Sequence, residues 1–251
     1  MDKLNLLNHY SVRKYSRRIV EEYIIKDILE ASIRASNTGN MQLYSIVLST
    51  QPKIKEELLP LHFNQQMVVD APLVFTFCAD INRFNKWCEL RGTKPCYDNF
   101  LWFSTALTDT ILAAENAAVA AEAHGLGICF LGTTMYNAEE IAEVLNLPKG
   151  VVPVVTMVCG HPESKSVRPV LTERLPLDAV VHFEMYHDYT DAKINEYFSE
   201  IENLDKMKKF VADNNLQNLA QVFTQVRYTE KDGAVFSKKY LDFVKKSFRM
   251  E

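Results

Sequence analysis

The segment from Phe100 to His124 constrains the chain more than any other: it holds eight alanines between positions 106 and 123, in a largely apolar run interrupted by the carboxylates Asp109, Glu115 and Glu122. Small side chains let neighbouring elements approach closely, so the pattern predicts a central buried helix. Gly125 supplies its stop. The three carboxylates also make the run unsuitable for a bilayer core, and no transmembrane helix is expected.

Around that helix the periodicity alternates between helical and extended. Ile24, Ile25, Ile28, Leu29 and Ile33 recur at three- and four-residue steps and predict a helix over 21–36, which ends in the turn-forming SNTGNMQ. YSIVLS (44–49) and LVFTFCA (73–79) have strand composition, the second introduced by Pro72, with a charged helical turn near 53–59 between them. ICFL (128–131) is a short apolar run. Asn137 with Glu140 resembles a capping box for a helix to Asn146, closed by Pro148. VVPVVTMVCG (151–160) reads as a buried strand whose Pro153 suggests an edge or a strand start. From about 185 the chain is polar and helical, ending in the amphipathic AVFSKKYLDFVKKSF. No repeat or low-complexity tract interrupts it. The expected organisation is an α+β domain over 1–190 and a C-terminal helical extension over 191–251.

Charge narrows the partners. The chain has 28 Lys+Arg against 32 Asp+Glu, a formal −4, which gives little support to a sequence-independent grip on nucleic acid. Residues 1–20 nevertheless hold Lys3, Arg13, Lys14, Arg17 and Arg18 against Asp2, so a basic segment heads an acidic protein. The first fifteen residues lack the apolar run of a signal peptide. Five cysteines (Cys78, Cys88, Cys96, Cys129, Cys159) are never closer than eight positions, which excludes CxxC pairs and the usual zinc spacings. No HExxH is present, and no metal site is assigned. Reduced thiols in a cytoplasmic protein are expected, most of them packing in the core.

Two glycine-rich readings fail on position. In GLGICFLG (125–132) the third glycine falls two places late for a dinucleotide fingerprint, and the glycines follow a helix instead of a strand. Read as a P-loop, the overlapping stretch Gly127 to Thr134 has Thr133 where lysine is required. HYSVRKY (9–15) is more informative. A serine hydroxyl and an arginine two residues apart on an extended segment, with a histidine behind, can converge on one phosphate; a solvated charge cluster is the alternative. Arg168 and Arg174, in RPVLTERLP, supply further cations of the kind a phosphomonoester requires.

Read together and in order, these motifs resemble the FMN-dependent nitroreductase family, especially its NADPH-preferring, oxygen-insensitive branch. HYSVRKY resembles the family's opening His-x-Ser-x-Arg, and SNTGNMQLYSIV (36–47) its Ser/Thr-x-Asn-x-Gln segment. FNQQMVVDAPLVFTFCADINR (63–83) resembles the part that runs through a flavin-edge glutamine into a strand. GLGICFLG resembles the helix–turn–strand under the isoalloxazine, and ERLP (173–176) the late phosphate arginine. The similarity spans roughly residues 5 to 190.

The resemblance implies an α+β sandwich with a mixed central sheet flanked by helices, and a homodimer binding FMN in clefts between subunits. His9, Ser11, Arg13 and Arg174 would hold the phosphate and ribityl chain. Thr38, Asn40, Gln42 and Gln65 would meet the ribityl hydroxyls and the polar edge of the ring. Leu131 would lead into Gly132 and Thr133, whose backbone N–H groups would lie near N5 and O4. NADPH or NADH would donate hydride through N5 to nitroaromatic, quinone or flavin acceptors by a ping-pong mechanism, with no membrane or nucleic-acid partner. Tyr97, Phe100, Trp102 and Phe103 stand as cleft walls or as core.

The chain departs from the family pattern at Thr172, where a lysine is frequent and Arg168 is the nearby substitute, and at Thr133, where a second glycine is frequent. Residues 87–102 match little, which leaves open a different flavin reaction (dehalogenase-like or flavin-fragmenting) or a non-catalytic flavin-binding protein.

Overall fold

The computed structural model describes residues 6–163 and 171–250. In chain order its elements are α1 (Glu22–Ile33), β1 (Tyr44–Ser49), α2 (Pro52–Leu58), α3 (Met67–Asp70), β2 (Leu73–Asp80), α4 (Asn82–Leu90) and α5 (Phe100–Ala123). They continue with β3 (Gly127–Leu131), α6 (Ala138–Val144), β4 (Val151–Gly160), α7 (Asp191–Asn203), α8 (Asp205–Asp213), α9 (Leu219–Val222) and α10 (Glu230–Phe248). No helix among the described residues is long and apolar enough to cross a membrane.

The strands form one sheet in the order β1-β2-β4-β3, antiparallel at every ladder. The mixed sheet expected above is mixed only through an isolated parallel bridge of Ser11 with Ile128. Because side chains alternate along a strand, β2 sends Leu73, Phe75 and Phe77 to one face and Val74 to the other. On the first face they meet Ile24 and Ile28 of α1 and Ala114, Ala117, Ala118 and Ala121 of α5. The second face packs on Leu58, Met67, Val68 and Ile141, with Cys129 and Leu131 from β3 and Val158 from β4. Both faces are therefore covered by helices, and every residue of β2 is buried. The fold is α+β.

The alanine-rich segment forms α5 as expected, and Gly125 beyond it takes φ 73°, a left-handed value that suits glycine. Alanines on its inner face let α1 come close enough for the Ser32 hydroxyl to donate to the Ala113 carbonyl at 2.7 Å. Four of the five cysteines are buried and all are free.

Three local expectations are corrected. β4 is central, not an edge, since it pairs with both β2 and β3. Pro153 is tolerated there because the β3 ladder ends at Leu131 opposite Thr156, and a register shift in β2 falls between Phe77 and Cys78, whose partner is Pro153. Asn137 sits at the N-cap of α6 without capping it: its side chain donates instead to the Leu61 carbonyl at 2.7 Å and accepts from Lys239 Nζ at 3.0 Å. α6 itself ends at Val144, before the expected Asn146.

The chain separates into two compact units, Met1–Val170 with Phe236–Glu251, and Leu171–Val235, a division different from one at residue 190. The end of α10 belongs to the first unit because Val244 and Phe248 are buried with Leu43, Ala79, Ile81, Phe103 and Val152. Within the second unit, Tyr197 donates to Asp178 and Tyr189 to the Ala179 carbonyl, while Thr190 and Asn218 cap α7 and α9.

The segment Ser11–Ser16 is laid across the ends of β3 and β4. Val12 N–H donates to the Ile128 carbonyl at 2.8 Å and Ser16 N–H to the His161 carbonyl at 2.9 Å. Only a glycine fits at 127, because a Cβ there would stand 2.6 Å from Val12 Cβ. Gly127→Ala is expected to lower stability by about 1–3 kcal/mol through this overlap; an unchanged urea midpoint would show that Val12 moves aside freely. Acid is expected to destabilise the protein through fully buried His62, whose pKa burial depresses from 6.5 to about 4. The unfolded chain binds the proton near 6.5 and the folded chain only near 4, so stability is full above about 6.5 and falls as pH is lowered toward 4. The loss is on the order of 3 kcal/mol. Urea titrations from neutral pH to pH ~4 should show this slope in the wild type and not in His62→Leu; parallel curves would refute it.

Candidate functional site

The predicted site residues fall into three groups in the first unit, plus two arginines outside them. At the start of β3, the parallel bridge brings Ser11 and Arg13 out on the exposed side of a strand whose intervening Val12 is buried. Both converge on Cys129. Burial raises the Cys129 thiol pKa, while the Arg13 charge and a hydrogen bond from Ser11 act the other way. Tyr15 locks the segment from beneath, its buried hydroxyl donating to the Val12 carbonyl at 2.6 Å. Arg13 makes no ion pair among the described residues. His9 does, its Nδ1 lying 2.7 Å from Glu122 Oε1, which leaves only Nε2 for a ligand.

The second group is at the far end of β3. Leu131 is buried, Gly132 is exposed with open space where a Cβ would stand, and Thr133 follows in a 3₁₀ turn. Three residues of strand rise separate Ile128 from Leu131, about 10 Å. Thr133 Oγ1 lies 2.8 Å from His62 Nδ1. Gln65 is in the same neighbourhood, its N–H donating to the His62 carbonyl at 3.1 Å. Lys55 braces this segment: its buried ammonium, with pKa lowered by burial, donates to the Val69 and Ala71 carbonyls at 2.9 and 2.8 Å.

The third group is the loop before β1. Thr38 donates to buried Asp109 through both N–H (2.9 Å) and Oγ1 (3.2 Å). Gln42 N–H donates to Asn37 Oδ1 at 3.2 Å, and the Gln42 carbonyl accepts from Arg83. Asn40 and Gln42 take φ 54° and 52°, and Phe63 and Asn64, beside Gln65, take φ 54° each. Asn40 and Gln42 line a broad hollow of about 710 Å³ with Glu30, Ala31, Ile33 and Arg34.

Arg174 lies in the second unit, exposed, with Nη1 donating to the Thr172 carbonyl at 3.1 Å. Arg168 lies outside the described residues. Of the aromatics considered as cleft walls, Tyr97 and Trp102 pack edge to face at 4.6 Å and Phe103 packs on Phe248 at 5.1 Å, whereas Phe100 is exposed.

Four residues that shape these groups were missed by sequence reasoning: His62, Arg83, Asp109 and Glu122. Asp109 carried a signal, as a lone carboxylate on the buried face of an alanine-rich helix must be hydrogen-bonded. The other three act on partners 38 to 113 positions away and leave no local pattern.

Comparison with known proteins shows what the chain as a whole is similar to. A family model described as the nitroreductase family matches residues 6–161. An FMN reductase (NADPH) of Bacillus subtilis strain 168 is 34% identical over 188 residues, covering 74% of this chain and 74% of that protein. A crystal structure of a candidate oxidoreductase from Bacteroides fragilis superposes with TM-score 0.94 at 42% identity, covering 98% of this chain and 99% of that one. The NfrA1 nitroreductase of B. subtilis superposes with TM-score 0.82 at 27% identity, covering 97% and 96%. With the family model spanning well over half of its length, the chain belongs to the nitroreductase family.

Proposed function

We propose that the protein is an FMN-dependent NAD(P)H oxidoreductase that passes electrons to nitroaromatic, quinone or flavin acceptors. One observation carries the reading. The segment bridged to the start of β3 carries a serine hydroxyl and an arginine that makes no ion pair among the described residues, and an open glycine turn with backbone donors follows the end of the strand. That pairing suits a ligand with a phosphate at one end and a polar ring edge at the other. The FMN reductase relative supports the same cofactor and NADPH as donor.

The residues fit the group. Arg13 offers a cation with no competing carboxylate among the described residues, and Ser11 a hydroxyl beside it, which together suit a phosphate dianion. The free edge of His9 is assigned to the same phosphate. Gln65 and the Thr38–Gln42 loop are assigned to the ribityl hydroxyls and ring edge, and Gly132 and Thr133 to the ring through their N–H groups. Bound there, FMN would supply the two-electron hydride chemistry. The chain's part is to hold donor and acceptor over one face in turn, to orient them, and to exclude water. Use of one position by both substrates gives ping-pong kinetics.

The site is assigned to a homodimer. Ile111 and Leu112 on α5 are 49% and 41% exposed in the protomer, with Phe100 and Leu101 near the helix start more exposed still. A second copy would cover this apolar face.

Purified protein is expected to be yellow and to be bleached by NADPH without oxygen; a flavin-loaded protein inert to both NADPH and NADH would overturn the reading. Arg13→Ala should weaken FMN binding by about tenfold to a hundredfold, the loss of a charge-assisted contact of roughly 1.5–3 kcal/mol. Undiminished affinity would mean that Arg13 is only solvated. The loaded protein should sediment as a dimer and Ile111→Glu should shift it toward monomer; a monomeric wild type would refute the assembly.

A further inference from the structure

Thr133 and Thr134 stand side by side after β3 but use their hydroxyls differently. Thr134 is fully buried, and its Oγ1 donates to the Leu131 carbonyl at 2.9 Å, so its hydrogen is consumed inside the turn. Thr133 is only half-buried, and the one partner of its Oγ1 among the described residues is His62 Nδ1 at 2.8 Å. Which of the two atoms donates decides what the threonine can offer a ligand.

The imidazole answers that question. His62 is fully buried, and burial disfavours a second proton, so the ring carries one hydrogen. Its Nε2 is buried with no hydrogen-bond partner among the described residues. Were the hydrogen on Nε2, it would be an orphaned buried N–H, the rarest kind of unsatisfied group in folded proteins; a bare nitrogen lone pair is the milder defect. The hydrogen therefore belongs on Nδ1, where it has an acceptor 2.8 Å away in Thr133 Oγ1. A threonine oxygen that accepts from His62 has its own hydrogen free. Next to it, Gly132 borders open space.

We propose that His62 is a positioning residue that fixes Thr133 as an outward hydrogen-bond donor beside the Gly132 turn, and that the acceptor it serves is the carbonyl and nitrogen edge of the flavin ring. The acceptor half rests on the FMN reading above. The donor is a feature of this chain's own pair, because a glycine at position 133 would have no hydroxyl to direct. Reduction puts negative charge on the ring edge, so a donor aimed there binds reduced FMN better than oxidised FMN and raises its midpoint potential.

Two measurements test the proposal. Nuclear magnetic resonance of isotope-labelled histidine in the flavin-free wild type reads the tautomer, with the His62 signal identified by its absence in His62→Leu. Hydrogen on Nδ1 is expected, and hydrogen on Nε2 overturns the latch. In the flavin-loaded protein, Thr133→Val should lose about tenfold in preference for reduced over oxidised FMN, a fall of about 30 mV for a two-electron couple. Thr133→Ser should keep the wild-type potential. His62→Leu should fall in the same direction, and the double variant should fall no further than Thr133→Val, since both remove one interaction. An unchanged potential in Thr133→Val overturns the donor. A wild type that binds no FMN sinks the proposed function and the flavin acceptor with it, while the tautomer, read without flavin, still decides the latch.

Discussion

The short parallel bridge between Ser11 and Ile128 is the contact on which the rest of the site depends. It is closed by the Val12 N–H on the Ile128 carbonyl at 2.8 Å and is possible only because Gly127 leaves room for Val12. Through it, β3 serves three purposes in five residues. Its middle buries side chains on both faces of the sheet, its first residues receive the segment that carries Ser11 and Arg13, and its last residue leads into the Gly132 turn. Since both faces of β3 are packed under helices, neither end can shift without disturbing the core. The separation between the two ends is therefore a property of the fold, not of a flexible loop.

The basic N-terminal segment resolves into residues with different roles once its partners are known. Arg18 is tied to Glu21 at 2.7 Å on an exposed surface, a pair worth little to stability. His9 is tied to Glu122 at 2.7 Å, so a carboxylate on the far end of α5 holds it in place. Arg13, Lys14 and Arg17 make no ion pair among the described residues. Arg13 alone of these has its charge brought up to a buried strand, where it is felt by both Cys129 and Tyr15. Sequence spacing pointed to Ser11 and Arg13, and the partners say why the neighbouring cations differ.

What was legible in the sequence follows from the range of the forces involved. Recurrence at three to four residues made α1 readable, β-rich composition marked β1, β2 and β4, and the density of small alanines marked α5, because each reports on burial within a short stretch of chain. Ordered motifs made the HYSVRKY segment and the turn after β3 visible. Polar pairing across the chain was not visible. Asn137 had the right residue type for a cap, yet a carbonyl from 76 positions away and a lysine from α10 took its side chain. Pro153 signalled an edge only in that, lacking an N–H to donate, it lies past the end of the β3 ladder in a strand that is otherwise central. His62 looked like any histidine until its neighbours removed water from both nitrogens.

The backbone of the site is held in conformations that the chain would not choose locally. Asn40, Gln42, Phe63 and Asn64 all take φ between 52° and 54°, half of the eight non-glycine residues with positive φ among those described. Asparagine tolerates that region because its side chain can bond locally, but glutamine and phenylalanine meet the full steric cost, about 1–2 kcal/mol each. The surroundings offset it with fixed hydrogen bonds: Asn37 and Arg83 hold both sides of the Gln42 peptide, and the Pro60 and Leu59 carbonyls accept from Phe63 and Asn64. Strain that is over-determined in this way tends to cluster where a protein must present polar groups in one arrangement. Here it brackets Asn40, Gln42 and Gln65, three residues assigned to the same ligand. A loop that relaxed to ordinary φ values would keep every one of these side chains and change where each of them points.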